Sequence, residues 1–275
     1  MTTVHILASG SSGNALLVSC GRTHLLVDAG ISCRRITLSL AELGLTPQDL
    51  AAILITHTHS DHISGLQTLL KRTACPVWGS GQTCRGLAYR LAGIDERLTE
   101  LTFGKTYPLG EASVTPIPIA HDAPGACGYR LDSDSGSVGI LTDTGYVTEE
   151  AADILPGVDL AVLEANHDIE SLRSGPYPYY LKQRILGSEG HLCNEAAGQF
   201  AVTLAEAGAS EIVLAHLSRE NNTPAMARNA VELALSAAGY PSAERIDPDR
   251  IHLTVAPRDH MSEAYPVVRR PLCKK

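Results

Sequence analysis

The chain has 275 residues, 44% of them hydrophobic and 19% charged, which describes an ordinary globular protein with enough apolar mass for a core. Its net charge of −8 excludes a protein whose bulk charge attracts nucleic acid or anionic lipid, unless metal ions or a local basic surface offset that charge. The seven cysteines are an odd number without a Cys-x-x-Cys pair, which argues against a disulfide framework and against a thiolate zinc site.

Strand-like and helix-like segments alternate along the chain, which indicates a mixed α/β architecture. Apolar runs and alternating patterns predict strands at 4–8, 15–19, 24–27, 52–55, 76–78, 114–120, 128–131, 137–141, 159–164 and 211–215. Helical spacing predicts helices at 34–43, 61–72, 82–91, 194–207 and 224–238, with Asn194 as a candidate cap. No low-complexity segment or linker interrupts the pattern, so we expect a single domain over residues 1–275.

Six of the predicted strands lead into a histidine or an acidic residue within two positions, after 27, 55, 120, 142, 163 and 215. Open α/β folds carry their chemistry at the carboxyl ends of their strands. The densest example is 56–62, in which three histidines and an aspartate follow the apolar run 52–55. This corner is the candidate site around which the chain is organised.

The spacing within 56–62 predicts two pairs of metal-ligand side chains. His57 and His59 are one residue apart, so in an extended segment both point to the same side. Ser60 is expected to cap a helix that begins at Asp61, which places Asp61 and His62 in its first turn. Two pairs of different direction suit two metal ions better than one. The alternative is a histidine-rich surface turn.

His57-x-His59-x-Asp61-His62, followed by strand-end residues His121, Asp143 and His216, resembles the metallo-β-lactamase fold superfamily. The resemblance implies an αββα sandwich, two mixed β-sheets flanked by helices, with two divalent metal ions at the sheet edge. It implies that one ion is held by His57, His59 and His121, and the other by Asp61, His62 and His216. It further implies that Asp143 bridges the ions and that Asp28 supports the histidine loop.

Within that superfamily the chain is most similar to the YycJ/WalJ exonuclease group. The matching stretches are 9–14, 164–168, 190–195 and 216–222, with Cys193 where a serine is expected. Too few positions separate Asp143 from His216 for the inserted β-CASP-type domain of RNA-processing and interstrand-repair relatives. The resemblance therefore implies a minimal nuclease of the superfamily.

The activity implied is phosphodiester hydrolysis by a hydroxide between two Zn or Mn ions, and a 5′–3′ exonuclease acting on DNA more than on RNA. Asp61 would orient the hydroxide. Similarity to the ribonuclease Z group implies that His191, oriented by Glu164, protonates the leaving group. His167 either contacts a phosphate, replaces His191 as the acid, or supports the site. Candidates for a 5′-phosphate pocket are Ser11, Ser12, Asn14 and Ser218.

Several alternatives stay open. A thioester or lactone hydrolase resembling glyoxalase II, an RNA-processing ribonuclease, a di-iron oxygen- or nitric-oxide-reducing protein and a non-enzymatic module share this fold. For the remaining histidines a structural role is favoured, and they are His5, His24, His252 and His260. Scattered cations are either plain surface charge or DNA-backbone contacts: Arg34, Arg35, Lys71, Arg72, Lys182, Arg184, Arg269, Arg270, Lys274 and Lys275.

The expected compartment follows from the N-terminus, the hydropathy and the cysteines. Residues 1–5 lack the basic start and apolar core of a signal peptide, and no apolar run approaches the roughly 18 residues of a membrane span. We therefore expect a soluble cytoplasmic protein with reduced cysteines and no membrane partner. The oligomeric state is left open.

Overall fold

The structure, a computed structural model, describes residues 1–269. The tail cations Arg270, Lys274 and Lys275 lie outside the described residues. The strands are, in chain order, β1 (Thr2–Ala8), β2 (Ala15–Cys20), β3 (Thr23–Val27), β4 (Leu50–Leu54), β5 (Val77–Ser80), β6 (Leu98–Leu101), β7 (Tyr107–Leu109), β8 (Ala112–Pro118), β9 (Cys127–Ser133), β10 (Gly136–Leu141), β11 (Leu160–Glu164), β12 (Glu211–Ala215), β13 (Ser242–Ala243), β14 (Ile251–Val255) and β15 (Tyr265–Val267).

The α-helices are between four and 14 residues long. They are α1 (Cys33–Glu42), α2 (Ser60–Ile63), α3 (Leu66–Leu69), α4 (Gly81–Arg90), α5 (Glu149–Ile154), α6 (Ile169–Ser174), α7 (Tyr179–Leu186), α8 (Asn194–Glu206) and α9 (Pro224–Ala237). No helix within residues 1–269 has the length and apolar character that crossing a membrane requires.

The strands form two mixed sheets. The first has the order β15-β1-β2-β3-β4-β5-β6, and the second has the order β13-β14-β12-β11-β10-β9-β8-β7. Strands β3 to β6 are parallel to one another, and so are β10, β11, β12 and β14. The carboxyl ends of parallel strands meet at one edge of a sheet, so this topology brings the predicted strand-end residues of each sheet to a rim.

Alternating side chains on each strand separate an inner core from two outer ones. In β3, Leu25 and Val27 face the inner core, whereas Leu26 faces the helices outside the first sheet. The inner core also contains Val138 and Val213 of the second sheet, so the two sheets pack face to face. Each fully buried aliphatic side chain of this kind contributes roughly 1.5–3 kcal/mol.

The outer faces of both sheets are covered by helices. Side chains of α1, α3 and α4 pack on the first sheet, and those of α5, α8 and α9 pack on the second. The order of layers is helix, sheet, sheet, helix. The predicted αββα sandwich with two mixed sheets flanked by helices is therefore confirmed.

The helix predicted over 61–72 is wrong in its extent and in its cap. The chain forms two short helices, α2 and α3, which are separated at Gly65. The Gly65 N–H donates to the Ala29 carbonyl oxygen at 2.8 Å, and a Cβ at this glycine would collide with the Ile31 carbonyl oxygen. His59, not Ser60, precedes the first helical residue, and its side chain makes no capping hydrogen bond.

Other boundaries also differ from the predictions. Cys193 precedes helix α8, and Asn194 is its first residue, with its side-chain amide bonded to Asn222. Strand β8 ends at Pro118, so two further residues separate it from His121. Helices α5, α6 and α7 are not among the predicted elements, because each is only six to eight residues long and lacks a sustained apolar period.

Candidate metal centre

Three imidazoles from both sheets meet at the rim and form what we call the imidazole cluster: His57, His59 and His121. One ring nitrogen from each lies within 4.8 Å of the others. His59 Nδ1 lies 3.3 Å from His121 Nε2, and the ring centres of His57 and His121 are 4.8 Å apart. The predicted same-side placement of His57 and His59 is what allows His121 to join them.

A second group beside it, the carboxylate cluster, consists of Asp61, His62, Asp143 and His216. Ligand atoms of Asp61, His62 and His216 lie within 4.8 Å of one another. Asp143 Oδ2 is 3.4 Å from His62 Nε2, and Asp143 Oδ1 is 3.3 Å from His216 Nδ1. Asp143 also lies within 4.8 Å of a ring nitrogen of His57, so it stands between the two clusters.

Three rim residues have left-handed backbone conformations: Asp28 with φ 61°, Asp143 with φ 59° and His216 with φ 54°. They are the only non-glycine residues with positive φ in the described part of the chain. Asp28 and His216 directly follow β3 and β12, and Asp143 follows β10 after one residue. Such conformations are uncommon for residues with a side chain and are concentrated at functional sites.

The Asp28 carboxylate supports the histidine corner, residues 56–62, through three hydrogen bonds. Its Oδ2 accepts from His62 Nδ1 at 2.7 Å, and its two oxygens accept from the Thr56 N–H at 2.9 Å and the Thr56 hydroxyl at 2.8 Å. The bond to Nδ1 leaves Nε2 of His62 directed at Asp61 and Asp143. A carboxylate in this position sets the tautomer and orientation of a metal-binding imidazole.

Glu164, at the end of β11, is fully buried and joins two histidines. Its Oε1 accepts from His191 Nδ1 at 2.8 Å and from His216 Nδ1 at 2.9 Å. Its Oε2 accepts from the Thr144 N–H at 2.8 Å. Burial by itself would raise the pKa of Glu164, but His191 and His216 outweigh it and hold that pKa below its usual range.

A cavity of about 190 Å³ opens beside the two clusters. His191, one-fifth exposed, lines it together with Ser11, Ser218 and Asn166. Its Nδ1 is held by Glu164, so the other ring nitrogen, Nε2, remains for a bound molecule.

Two residues predicted for the phosphate pocket, Ser12 and Asn14, belong to the loop that contains Ser11 but do not line the cavity. Ser12 is exposed and does not line the cavity. Asn14 accepts from the Gly10 N–H at 2.9 Å, and its amide nitrogen is 3.3 Å from Asp61 Oδ2 and 3.0 Å from His62 Nε2. The Asn14 side chain therefore ties the loop to Asp61 and His62.

His167 is brought into neither cluster. It is 1% exposed, and both of its ring nitrogens lack a hydrogen-bond partner among residues 1–269. Burial lowers its pKa to about 4, so the ring is neutral at pH 7. It does not line the cavity that contains His191.

Sequence reasoning missed two residues next to the imidazole cluster. Asp122 Oδ1 lies 3.5 Å from Nε2 of both His59 and His121, and Asp122 Oδ2 accepts from Arg184 Nε at 2.6 Å. The position of Asp122 directly after His121 was a usable signal. For Arg184 the sequence offers only surface charge or a DNA-backbone contact, because helix α7 is not among the predicted elements.

Two of the histidines outside the rim have structural partners. His252 Nδ1 is 2.9 Å from Glu211 Oε1, and its Nε2 is 3.0 Å from the Glu244 carbonyl oxygen. Both ring nitrogens of His252 are therefore occupied within the fold. His24 Nδ1 bonds to the Ser19 hydroxyl at 2.9 Å.

The two clusters have opposite preferences for protons. Burial and the nearby imidazoles of His62 and His121 lower the pKa of His57 well below its usual value. At His216, burial is outweighed by Asp143 and by contacts with Asp61 and Glu164, which raise its pKa to about 10. A divalent cation and a proton compete for the same imidazole nitrogen, so carboxylates that favour one also favour the other.

The residues at the rim fit a divalent metal ion. His57 Nε2, Asp143 Oδ2 and His216 Nε2 are buried without a hydrogen-bond partner in the described part of the chain. Leaving such a group unsatisfied costs about 1–3 kcal/mol. Imidazole nitrogens and carboxylate oxygens are ligands of Zn and Mn. A cluster of this composition is capable of binding metal.

Sequence comparison identifies the family to which the chain belongs. Residues 23–217 match the sequence model of a family described as a beta-lactamase superfamily domain. Exodeoxyribonuclease WalJ of Streptococcus pneumoniae serotype 2 (strain D39 / NCTC 7466) is 41% identical over 225 residues, which is 81% of this chain and 84% of WalJ. Exodeoxyribonuclease YycJ of Bacillus anthracis is 34% identical over 244 residues, which is 88% of this chain and 92% of YycJ.

Structural comparison extends the match of the fold to nearly the whole chain. The metallo-beta-lactamase fold protein YhfI from Bacillus subtilis superimposes with a TM-score of 0.69 at 18% identity, covering 96% of this chain and 100% of YhfI. This similarity concerns the fold alone. Together with the family match and the metal-binding cluster at the rim, it shows that the chain is a metal-dependent hydrolase of the beta-lactamase superfamily, in the group that contains WalJ and YycJ.

Proposed function

We propose that this protein is a metal-dependent nuclease, a 5′–3′ exonuclease that acts on DNA in preference to RNA. The observation that carries the proposal is the meeting of the two ligand clusters at Asp143, beside a cavity that contains His191. The relatives WalJ and YycJ are exodeoxyribonucleases by name, and they match this chain over most of its length.

The proposal assigns two ions, Zn or Mn, to the rim. His57, His59 and His121 would hold the first, and Asp61, His62 and His216 the second, with Asp143 shared between them. Such a pair supplies a water of lowered pKa and neutralises charge on a phosphoryl oxygen. This positive charge would offset the repulsion between a phosphodiester and a chain of net charge −8.

Asp61 is proposed to orient the attacking water. Its side chain is 22% exposed, whereas the other members of the carboxylate cluster are nearly fully buried, so it faces the open side of the rim. Burial would raise its pKa, but the imidazoles of His216 and His62 outweigh burial and hold that pKa below the usual range. Asp61 is therefore an acceptor at neutral pH.

His191 is proposed to protonate the departing oxygen. Glu164 accepts its Nδ1–H, which fixes the tautomer and orientation of the ring, and the ring lines the cavity. The Ile185 carbonyl oxygen accepts the His191 backbone N–H at 3.1 Å and anchors the residue to the end of α7. Proton transfer by a positioned imidazole contributes typically about 10²–10⁴-fold.

A terminal 5′-phosphate would be bound in the cavity by the Ser11 and Ser218 hydroxyls. Asn14 would act through the loop that presents Ser11, since its amide is engaged by Gly10 and Asp61. Ser12 is also proposed to donate from its hydroxyl to the phosphate, because it is exposed in the same loop as Ser11. For His167 we propose a supporting role, because it is buried and does not line the cavity.

We also propose that residues 1–275 act as one domain in a reducing cytoplasmic compartment. The inner core contains residues of both sheets, which supports a single folding unit. Six cysteines are free in the described part of the chain: Cys20, Cys33, Cys75, Cys84, Cys127 and Cys193. Free thiols are usual where the compartment is reducing.

The deciding experiment uses duplexes and single strands of DNA and RNA, labelled at either end, with Mn or Zn and with Asp61→Ala as control. Stepwise release of 5′-terminal nucleotides from DNA, dependent on metal and abolished by Asp61→Ala, is the expected result. Faster digestion of RNA, internal cleavage or release from the 3′ end would each contradict a part of the proposal. Thioester cleavage in place of phosphodiester cleavage would favour a glyoxalase II-like hydrolase.

A further inference from the structure

One segment of the chain contrasts with its acidic average. Residues 173–186, which we call the aromatic–basic segment, contain Arg173, Lys182 and Arg184, three of the nine tyrosines, and no acidic residue. The whole chain has a net charge of −8. The segment includes helix α7, which contains none of the candidate metal ligands of the two clusters.

The aromatic–basic segment borders the catalytic cavity. Tyr177, Leu181, Arg184 and Ile185 line the same cavity as His191. Arg184 is also paired through Nη2 with Asp122 Oδ2 at 2.6 Å. Asp122 in turn contacts His59 and His121, so it links Arg184 to the imidazole cluster. The segment therefore forms one wall of the cavity, next to any polymer whose end is bound there.

Two tyrosines of the segment are turned to the solvent. Tyr179 is 77% exposed and Tyr180 is 75% exposed, so neither ring contributes to the core. Helical spacing places Tyr179 one turn from Lys182 and Tyr180 one turn from Arg184. Each exposed tyrosine therefore has a basic residue one helical turn further along α7.

The segment is fixed in place, which makes it a preformed surface. Lys182 Nζ donates to the Arg173 carbonyl oxygen at 2.7 Å and closes the loop before α7. Ile185, 8% exposed, anchors the helix. The ion pair of Arg184 with Asp122 involves Nε and Nη2 of its guanidinium, and the Arg184 side chain is still 55% exposed.

Flat aromatic rings beside cations match a nucleic-acid strand whose bases are unpaired. A base stacks on an aromatic ring through its face, and adjacent cations neutralise the phosphates. In an intact duplex the base faces are already stacked on one another. Resting on the proposed function, we propose that the aromatic–basic segment binds the unpaired end of the strand being cut, with bases stacked on Tyr179 and Tyr180.

The test measures the Kd of a 5′-phosphorylated, phosphorothioate-linked DNA strand of about twelve nucleotides, by fluorescence anisotropy, alongside a blunt duplex of the same sequence. Wild-type protein should bind the single strand more tightly than the duplex. Tyr179→Ala/Tyr180→Ala should raise the Kd for the single strand at least about tenfold and remove that preference. Tyr179→Phe/Tyr180→Phe, which keeps the rings, should bind as wild type does.

The matched control is Tyr89→Ala, which removes a tyrosine that is 93% exposed on α4 and lines neither the cavity nor the aromatic–basic segment. It should leave both Kd values unchanged. The inference is overturned if the double alanine variant binds the single strand like wild type, or if it loses duplex binding equally. Because the strand is not cleaved, this result is independent of the proposed function, which fails separately if the metal-loaded enzyme digests no unmodified strand.

Discussion

The imidazole cluster and the carboxylate cluster lie side by side on one rim, yet they are built differently. His57 and His59 are one residue apart and need a single partner, His121, from the other sheet. The carboxylate cluster depends on Asp143 and His216, which follow β10 and β12 and are both fixed by the register of the second sheet. One half of the centre is thus mainly local in sequence, and the other half depends on the topology.

The two clusters also differ in charge. In the imidazole cluster, burial and the neighbouring imidazoles lower the pKa of both His57 and His59. Asp61, Asp143 and Glu164 surround His216 and raise its pKa to about 10. This difference means that His57 and His59 are neutral ligands in advance, whereas the carboxylate cluster must exchange a proton for a cation.

The largest effect is expected from Asp143→Asn, because Asp143 belongs to both clusters. Losing this charge should reduce metal content and lower hydrolysis roughly 10⁴-fold or more, since a metal ion stabilises the transition state by several kcal/mol. Elemental analysis and turnover of labelled DNA measure the two effects. Asp132→Asn, which removes an Asp–Arg pair elsewhere in the second sheet, should leave both unchanged. Full metal content in Asp143→Asn would show that the clusters do not depend on a shared residue.

His191→Ala separates the chemistry from the ligands. Because His191 bonds to Glu164 and lines the cavity, its loss should lower kcat about 10²–10⁴-fold while metal content stays the same. The matched control is His252→Ala, which breaks another histidine–glutamate pair at 2.9 Å, away from the rim. Loss of metal from the His191 variant would instead make this residue a ligand.

Asp28→Asn tests the support behind the carboxylate cluster. Replacing the carboxylate weakens its bond to His62 Nδ1, so metal affinity should fall about 10–100-fold, and more at the carboxylate cluster than at the imidazole cluster. Competition with a chelator measures this metal affinity. Asp49→Asn is the control, because the exposed Asp49 accepts from the backbone and hydroxyl of Thr46 just as Asp28 does from Thr56. An equal effect of both changes would rule out a specific support.

The smallest effect is a pH dependence of stability in chelator-treated protein. The folded pKa of His216, about 10, lies above its usual 6.5, so its contribution is complete below pH 6.5 and is lost as the pH rises towards 10. Tm should then fall by about 5 °C more than in metal-loaded protein, where the imidazole is a neutral ligand. Parallel melting curves for the two forms, or an unchanged alkaline loss in His216→Gln, would contradict the charge difference between the clusters.

Much of the rim could be predicted because its residues sit at the ends of strands with clear apolar patterns. His57, Asp143 and His216 follow β4, β10 and β12, and the topology brings them together as expected. The resemblance supplied the roles, which stay predictions. Apolar runs likewise predicted most strands of the sandwich, because strands such as β10 and β11 are buried along their whole length and mostly apolar.

The rest depends on contacts that no local pattern contains. The break between α2 and α3 follows from the close approach of Gly65 to Ala29 and Ile31, thirty-odd residues earlier in the chain. Helix α7 is short and follows two prolines, so the approach of Arg184 to Asp122 could not be inferred. Edge strands of two or three residues, such as β13 and β15, carry too few residues for a period.

The left-handed backbone at Asp143 and His216 has a consequence for engineering. Glycine adopts this conformation without the penalty of roughly 1–2 kcal/mol that a side chain incurs, and both residues also bury an unsatisfied polar atom. A library screened only for heat resistance in metal-poor medium would therefore enrich glycine at these positions and yield robust but inert molecules. Any programme to thermostabilise this enzyme has to select for turnover in the same round.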